Sequence, residues 1–170
     1  SELLSFSKAG IQAAELRLVP VSVVDSVQRA VARESDASAT IEVSVEEKLK
    51  VLADPESLVR SLANLIRNSV RYAGECGPIR ISAEAQQRDV LITVVDCGPG
   101  LPEDSLEKVF TPFYRPEPER NRDTGGAGLG LATVKACIEA CKGSVRCRNE
   151  YPRGLAVEIR LPQPAESGTV

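Results

Sequence analysis

The sequence predicts an α/β fold, a two-layer sandwich in which a mixed, mainly antiparallel sheet is covered by helices on one face. Three observations indicate it: segments with a hydrophobic period of two, helical segments between them, and a closing pair of strands around a turn at Gly154. A chain of 170 residues with 42% hydrophobic residues is long enough for one substantial core. We therefore expect one main domain over residues 17–162, with a helical segment before it and a flexible tail over residues 163–170.

Composition argues against several classes of protein. A net charge of −3 with interspersed acidic and basic residues disfavours a nucleic-acid-binding surface, which would show a basic patch. No apolar run has the length needed to cross a bilayer, and residues 1–20 lack the layout of a signal peptide, so we expect a soluble chain. Five cysteines, with no histidine and no CxxC pair, favour free or buried thiols over a zinc site.

Helical spacing marks two segments near the beginning of the chain. Residues 1–16 place apolar side chains on one face of a helix, and Pro20 then interrupts the pattern. Residues 25–33 predict the first helix of the main domain, with Asp25 as its N-cap.

A change of period to two follows these helices. Residues 41–45 and 49–53 alternate apolar and polar side chains, which predicts two strands joined by a short turn. Asp54 is then placed as an N-cap and Pro55 at the first helical position, where its missing N–H is not needed. A long helix is expected from there to about Ala73.

The second half of the chain predicts a sheet, a loop and a last helix. The strand at residues 90–95 is almost wholly apolar, which is typical of a central strand. Residues 112–124 are charged and proline-rich, and so favour a mobile loop. Gly143 is expected to end the last helix. In order, the predicted elements are strands at 79–83 and 90–95, a helix from about 129, and strands at 144–148 and 155–161.

The long helix presents two amides on its polar side. At 100° per residue Asn64, Asn68 and Arg71 fall opposite the apolar side chains of Leu58, Leu62, Leu65, Ile66 and Ala73. The simpler interpretation is a solvated helix face. An amide oxygen is nevertheless a suitable ligand for Mg²⁺, which takes most of its other oxygens from water and nucleotide phosphates.

A second polar motif, Asp96-Cys97-Gly98-Pro99-Gly100, ends the apolar strand. A carboxylate there can accept a hydrogen bond from an exocyclic amine such as adenine N6, and the glycines allow the backbone to approach a flat ring. A tight turn capped by aspartate is the alternative interpretation.

A glycine-rich turn from Gly125 to Gly130 leads directly into the last helix. Helix N-termini offer N–H groups and the positive end of the dipole to an anion, so a phosphate site is the natural hypothesis. The turn is not a P-loop, because Leu131-Ala132 replaces the Lys-Ser/Thr pair. It also lacks the third glycine and the preceding strand of a dinucleotide fingerprint.

Taken together and in order, SLANLIRNSVRYAG, DCGPG, VFTPFYR and GGAGLGLATV resemble the N, G1, F and G2 boxes of the catalytic domain of sensor histidine kinases. That domain has the GHKL (Bergerat) ATP-binding fold, which is shared with DNA gyrase, Hsp90 and MutL. The resemblance covers roughly residues 20–162 and implies that the chain binds ATP and Mg²⁺.

The resemblance also implies roles by position. Asn68 corresponds to the Mg²⁺ ligand and, with Arg115 as a γ-phosphate contact, is expected to serve catalysis; Asp96 would accept from adenine N6. Phe110 and Phe113 resemble the aromatic residues that anchor a lid over residues 101–125, in which Arg120 and Arg122 are further candidates. The implied nucleotide-binding set is Asn64, Asn68, Arg71, Tyr72, Asp96, Gly98, Gly100, Phe110, Phe113, Arg115, Gly126, Gly128, Leu129, Gly130 and Leu131.

One position separates the kinases from the hydrolases of this superfamily. Gyrase-type ATPases carry a water-activating glutamate four residues before the Mg²⁺ asparagine, and here that position is Asn64. Without a base, hydrolysis should be slow and the γ-phosphoryl should await another acceptor. This favours a kinase.

The chain contains no histidine, so the resemblance implies that the phosphoacceptor lies upstream of Ser1. Residues 1–16 would then be the end of the second helix of a dimerisation hairpin, and the chain would be a fragment that does not autophosphorylate. The implied partners are this hairpin, a response regulator and a second copy in a homodimer, and the implied location is the cytoplasmic part of a membrane-anchored sensor. An anti-sigma-type serine kinase and a nucleotide-sensing module without transfer are the alternatives.

Overall fold

The computed structural model describes residues 16–34, 39–73, 75–115 and 130–165. Residues 1–15 of the helix expected over 1–16, most of the loop at 112–124 and residues 166–170 of the tail expected over 163–170 lie outside these ranges. Within them the elements are β1 (Val19–Ser22), α1 (Val23–Arg33), β2 (Ile41–Ser44), β3 (Lys50–Ala53), α2 (Pro55–Ala73), β4 (Ile79–Gln86), β5 (Asp89–Val95), α3 (Gly130–Ala140), β6 (Ser144–Asn149) and β7 (Leu155–Pro162).

The main sheet is mixed and mainly antiparallel, as predicted. Its order is β2-β4-β5-β7-β6, in which only the β2–β4 pair is parallel. β5 lies at the centre of the five strands, in agreement with its apolar sequence. The fold class derived from the sequence is therefore confirmed.

The two strands expected at residues 41–45 and 49–53 form, but they do not continue one sheet. β2 joins the edge of the main sheet, whereas β3 pairs antiparallel with β1, with Val51 opposite Val21. A period of two identifies a strand and its buried face but leaves the partner strand open. The strand β1, which contains Pro20, was missed for the related reason that proline suggested an interruption.

The cap of α1 was also misplaced. Ser22, not Asp25, is the N-cap, because its hydroxyl accepts from the backbone N–H of Asp25 at 3.2 Å. The helix begins earlier than expected, so that Val23 and Val27 are both buried. The cap of α2 agrees with the prediction: Asp54 Oδ2 accepts from the N–H of Ser57 at 2.9 Å and from its hydroxyl at 2.8 Å.

The core lies between the helices and one face of the main sheet. Leu62 and Ile66 of α2 are fully buried, as are Ile79 and Ile92 of the sheet. On the opposite face of β4, Arg80, Ser82 and Glu84 are exposed. This one-sided burial is what the alternating strand pattern requires.

The last helix ends at Ala140, and the left-handed residue that follows it is Lys142, with a φ of 64°, rather than the expected Gly143. The N–H of Gly143 donates to the carbonyl of Ile138 at 2.9 Å, and a Cβ at position 143 would lie 2.4 Å from the carbonyl oxygen of Arg160. Cys137 and Cys141 are buried, and Cys141 Sγ accepts from the N–H of Asp54 at 3.4 Å, which ties the end of α3 to the start of α2. No helix within the described ranges is long and apolar enough to span a membrane.

Candidate nucleotide-binding site

A cleft of about 840 Å³, including its open mouth, lies between α2, the segment after β5 and the beginning of α3. The cleft brings together ten of the residues selected from the sequence: Asn64, Asn68, Arg71, Tyr72, Asp96, Gly98, Gly100, Arg115, Gly130 and Leu131.

The other selected residues do not line the cleft or are not described. Phe110 is buried, whereas Phe113 is 62% exposed and has a φ of 67°, a strained conformation for a bulky side chain. Outside the described ranges lie Gly126, Gly128 and Leu129, together with Arg120 and Arg122.

Asp96 is fixed at the floor of the cleft and is only 6% exposed. Its Oδ1 accepts from the backbone N–H of Gly98 at 2.9 Å and from that of Leu155 at 3.0 Å. Burial raises the pKa of the Asp96 carboxyl, and the two backbone donors partly offset that rise. Both bonds fall on Oδ1, which leaves Oδ2 as the acceptor for a ligand donor.

Two glycines allow the backbone to pass close to the floor of this cleft. A Cβ at Gly98 would lie 2.7 Å from the Ala73 Cβ and 3.3 Å from Asp96 Oδ1. Gly100 has a φ of 75°, and a Cβ there would lie 2.5 Å from Asn149 Oδ1. Space and conformation therefore both require glycine in the DCGPG turn.

The amide pair of α2 faces the cleft with unequal exposure. Asn64 is buried at 7% exposure, so the alternative interpretation of a solvated helix face does not hold at this position. Its Oδ1 accepts from Nη1 of Arg67 at 3.2 Å. Asn68 lies one turn further along and is partly exposed in the same cleft.

Arginines and a tyrosine complete the polar lining. Arg71 and Arg115 line the cleft, so that cationic groups stand on two of its sides. Tyr72 lies in the same lining beside the DCGPG turn, where an aromatic ring can contact a base. At the start of α3, Gly130 lines the same cleft, and a Cβ there would meet no atom of the described residues within 4 Å.

Sequence reasoning missed several residues that shape the cleft. Arg67 and Tyr114 line it, and the Tyr114 hydroxyl is hydrogen-bonded to that of Ser105 at 3.0 Å. Asn149, from β6, holds both backbone groups of Leu101. The spacing of Arg67 on α2, one turn from Asn64, was a usable signal for one of these contacts. No signal in the sequence indicated the pairing of Asn149 with Leu101, which are far apart along the chain.

Comparison with known proteins agrees with this geometry. The chain matches the family described as histidine kinase-, DNA gyrase B- and HSP90-like ATPases over residues 53–165. The signal transduction histidine-protein kinase BaeS of Escherichia coli K12 is 35% identical over 122 residues, which are 72% of this chain and 26% of BaeS. The chain thus spans about a quarter of the length of that relative.

Solved structures show the same fold. The mycobacterial sensor histidine kinase MprB gives a TM-score of 0.77 at 26% identity, with 85% of this chain and 98% of that chain covered. Full-length ShkA in complex with AMPPNP gives a TM-score of 0.81 at 27% identity, with 99% of this chain and 36% of that chain covered.

The matched range begins at the end of β3 and contains the amides of α2, the DCGPG turn and the beginning of α3. These are the elements that enclose the cleft. With a family match over more than half of its length, the chain belongs to the histidine kinase-, DNA gyrase B- and HSP90-like ATPases.

Proposed function

We propose that this chain is the catalytic, Mg-ATP-binding domain of a two-component sensor histidine kinase and delivers the γ-phosphoryl of ATP to a histidine outside the sequence. The observation that carries the proposal is the floor of the cleft. A buried Asp96, locked through Oδ1, lines the cleft together with Gly98 and Gly100, and adenine N6 is a fitting donor to its other oxygen. The names of BaeS and MprB support the kinase activity.

Magnesium belongs to the same proposal, and the donors present fit it. Among the described residues no group of three or more His, Cys, Asp or Glu side chains is arranged to hold a metal ion. Mg²⁺ in nucleotide sites takes few protein ligands and completes its shell with phosphates and water. The Asn68 amide oxygen in the cleft is therefore the proposed protein ligand. Bound Mg²⁺ would supply charge neutralisation for the triphosphate.

The remaining cleft residues would position the reacting phosphate. Arg71 and Arg115 supply cationic donors, and the start of α3 at Gly130, which lines the cleft, supplies backbone N–H groups. Phosphoryl transfer depends mainly on such positioning and charge stabilisation. Asn64 offers no carboxylate to activate water, which supports transfer to another acceptor over hydrolysis.

The proposed partners follow from this chemistry. The chain has no histidine of its own, so the acceptor would be a His-bearing hairpin of the same protein, dimeric in the full-length kinase, and a response regulator would receive the phosphoryl group next. We place the site on the cytoplasmic side of a membrane-anchored sensor because ATP is available there and the five cysteines are unpaired.

A titration with a fluorescent ATP analogue, with and without Mg²⁺, tests the binding step. Asn68→Ala should abolish the Mg²⁺-dependent part of the affinity, whereas Ser82→Ala, on the exposed face of β4, should leave it unchanged. Mg²⁺-dependent binding that persists in Asn68→Ala would remove the metal assignment.

A second assay tests transfer. The chain is mixed with radiolabelled ATP and the histidine hairpin of a related kinase, and acid-labile phosphate is counted on each. Label on the hairpin alone is expected. Label on this chain, or inorganic phosphate released without transfer, would contradict the kinase proposal.

A further inference from the structure

Arg67 connects the end of α1 to the amide pair of α2. Its Nη2 lies 2.6 Å from Glu34 Oε1 and its Nε donates to Glu34 Oε2 at 3.3 Å, which is a two-point contact with one carboxylate. Its Nη1 donates to Asn64 Oδ1 at 3.2 Å. Glu34 is the C-cap residue of α1, and Arg67 belongs to the lining of the cleft.

This contact determines which end of the Asn64 amide faces the cleft. A guanidinium carries five N–H donors and no acceptor, so only the oxygen of a carboxamide can face it favourably. The two-point contact with Glu34 fixes the plane of the guanidinium and leaves Nη1 directed at Asn64. Among the described residues no acceptor binds Asn64 Nδ2, and the side chain lines the cleft. The amide N–H₂ is thus the group presented to a ligand.

We propose that Arg67 is a positioning residue, which holds Asn64 so that its Nδ2 donates to a phosphate oxygen of the bound nucleotide. The inference rests on the proposed function and adds a residue to it. Released from Arg67, the amide can rotate by half a turn and present its oxygen to the phosphate, which is repulsive. Arg67 therefore favours the binding of an anionic ligand group through Asn64, without contacting that group itself.

The expected losses of folding stability and of nucleotide affinity separate a positioning role for Arg67 from a structural role. The Arg67 and Glu34 side chains are 42% and 17% exposed, and a pair of this exposure contributes only about 0.2–1 kcal/mol to stability. Loss of Arg67 should therefore alter folding little. Loss of one charge-assisted bond to a phosphate should weaken binding of a nucleotide about tenfold.

The test compares AMPPNP with adenosine as ligands, each titrated against the chain by calorimetry. In Arg67→Met the affinity for AMPPNP should fall about tenfold, that for adenosine should not change, and Arg67→Lys should recover part of the loss. Arg29→Met removes the same charge from the exposed side of α1 and is the matched control, with no expected effect. Equal loss for both ligands, or no loss, would overturn the proposal.

A double-mutant cycle with Asn64→Ala separates positioning from direct contact. If Arg67 acts through Asn64, adding Arg67→Met to Asn64→Ala should not weaken AMPPNP binding further. A full further tenfold loss would mean that Arg67 contacts the phosphate itself and would refute the proposed role. Failure of the wild-type chain to bind AMPPNP would instead refute the proposed function.

Discussion

Asn149 holds Leu101 by both of its backbone groups: Asn149 Nδ2 donates to the Leu101 carbonyl at 2.7 Å, and Asn149 Oδ1 accepts from the Leu101 N–H at 2.8 Å. The two residues are 48 positions apart. An edge strand of the sheet thereby fixes the backbone directly after the DCGPG turn, where the segment that would cover the nucleotide begins. The Asn149 side chain thus makes the two hydrogen bonds to the Leu101 backbone that a neighbouring strand would otherwise make.

Asn149→Ala should therefore loosen the mouth of the cleft. Two partly buried backbone groups lose their partners, for which about 1–3 kcal/mol of unfolding free energy is expected. Denaturant unfolding measures this loss, and hydrogen exchange at the Leu101 amide should accelerate. Asn149→Asp retains the acceptor oxygen, so its stability and its exchange rate at Leu101 should lie between those of wild type and those of Asn149→Ala. Unchanged exchange at Leu101 in Asn149→Ala would contradict the assignment.

Asp96→Asn should shift the nucleotide preference of the cleft from adenine toward a 6-oxopurine without unfolding the domain. The amide oxygen must face the N–H groups of Gly98 and Leu155, so the new N–H₂ faces the cleft. It would oppose adenine N6, donor against donor, and lower ATP affinity about 100-fold. A 6-oxopurine offers an acceptor at that point, so ITP should lose less than ATP. Competition binding of both nucleotides measures the ratio, and equal losses would contradict the predicted contact.

The same substitution carries a prediction about stability. Burial holds the pKa of Asp96 above its ordinary value of 3.8. A carboxyl with a raised pKa in the folded state favours folding below its unfolded pKa, and that contribution is lost as pH rises through the folded pKa. Ionisation of this buried carboxyl is thus unfavourable to folding, and the melting temperature of ligand-free Asp96→Asn should equal or exceed that of wild type. A large decrease would mean that Oδ2 has a structural partner.

Gly98→Ala and Gly130→Ala should differ in their effects on folding. A Cβ at Gly98 would lie 2.7 Å from Ala73 Cβ, so α2 or the turn must shift and the base site with it. At Gly130 no atom of the described residues lies within 4 Å of such a Cβ, so the fold should tolerate alanine. The overpacking in Gly98→Ala should lower stability by about 1–3 kcal/mol. Thermal unfolding of the two variants checks the difference, and equal stabilities would be inconsistent with the packing described.

Alkaline pH should destabilise the domain partly through Cys147. Burial raises the pKa of this thiol from 9.0 to about 11, and Sγ donates to the Leu106 carbonyl at 3.0 Å. Between these values the unfolded chain releases a proton that the folded chain keeps, so stability present below pH 9 is lost as pH rises toward 11. A shift of this size corresponds to about 3 kcal/mol for a fully buried thiol, and partial solvent access to Cys147 reduces it to about 1–2 kcal/mol.

Cys147→Ser removes that ionisation, so its stability should fall by about 1 kcal/mol less than that of wild type between about pH 8.5 and pH 10.5. Urea unfolding at the two pH values provides the comparison. Cys76→Ser replaces an exposed thiol and should behave as wild type. An identical pH dependence in wild type and Cys147→Ser would show that other groups control the alkaline loss.

Local signals in the sequence determined most of the secondary structure. The Asp54-Pro55 start of α2 and the end of α3 shortly before Gly143 depend on bonds within a few residues, so residue type and spacing identify them. The apolar run at residues 90–95 also predicted the central strand, because burial on the helix side requires apolar side chains. The order and spacing of the four motifs predicted the family.

Only the tertiary structure decided which distant groups meet. Strand partners were one case, since β3 pairs with β1 and β2 with β4, and alternation alone is compatible with several partners. The orientation of Asn64 was another: the helix period placed it on the polar side, but its burial and the direction of its amide depend on Arg67 and, through it, on Glu34 of α1. Sequence determines what a side chain can donate or accept, whereas the packing of α1 against α2 determines which partner it finds.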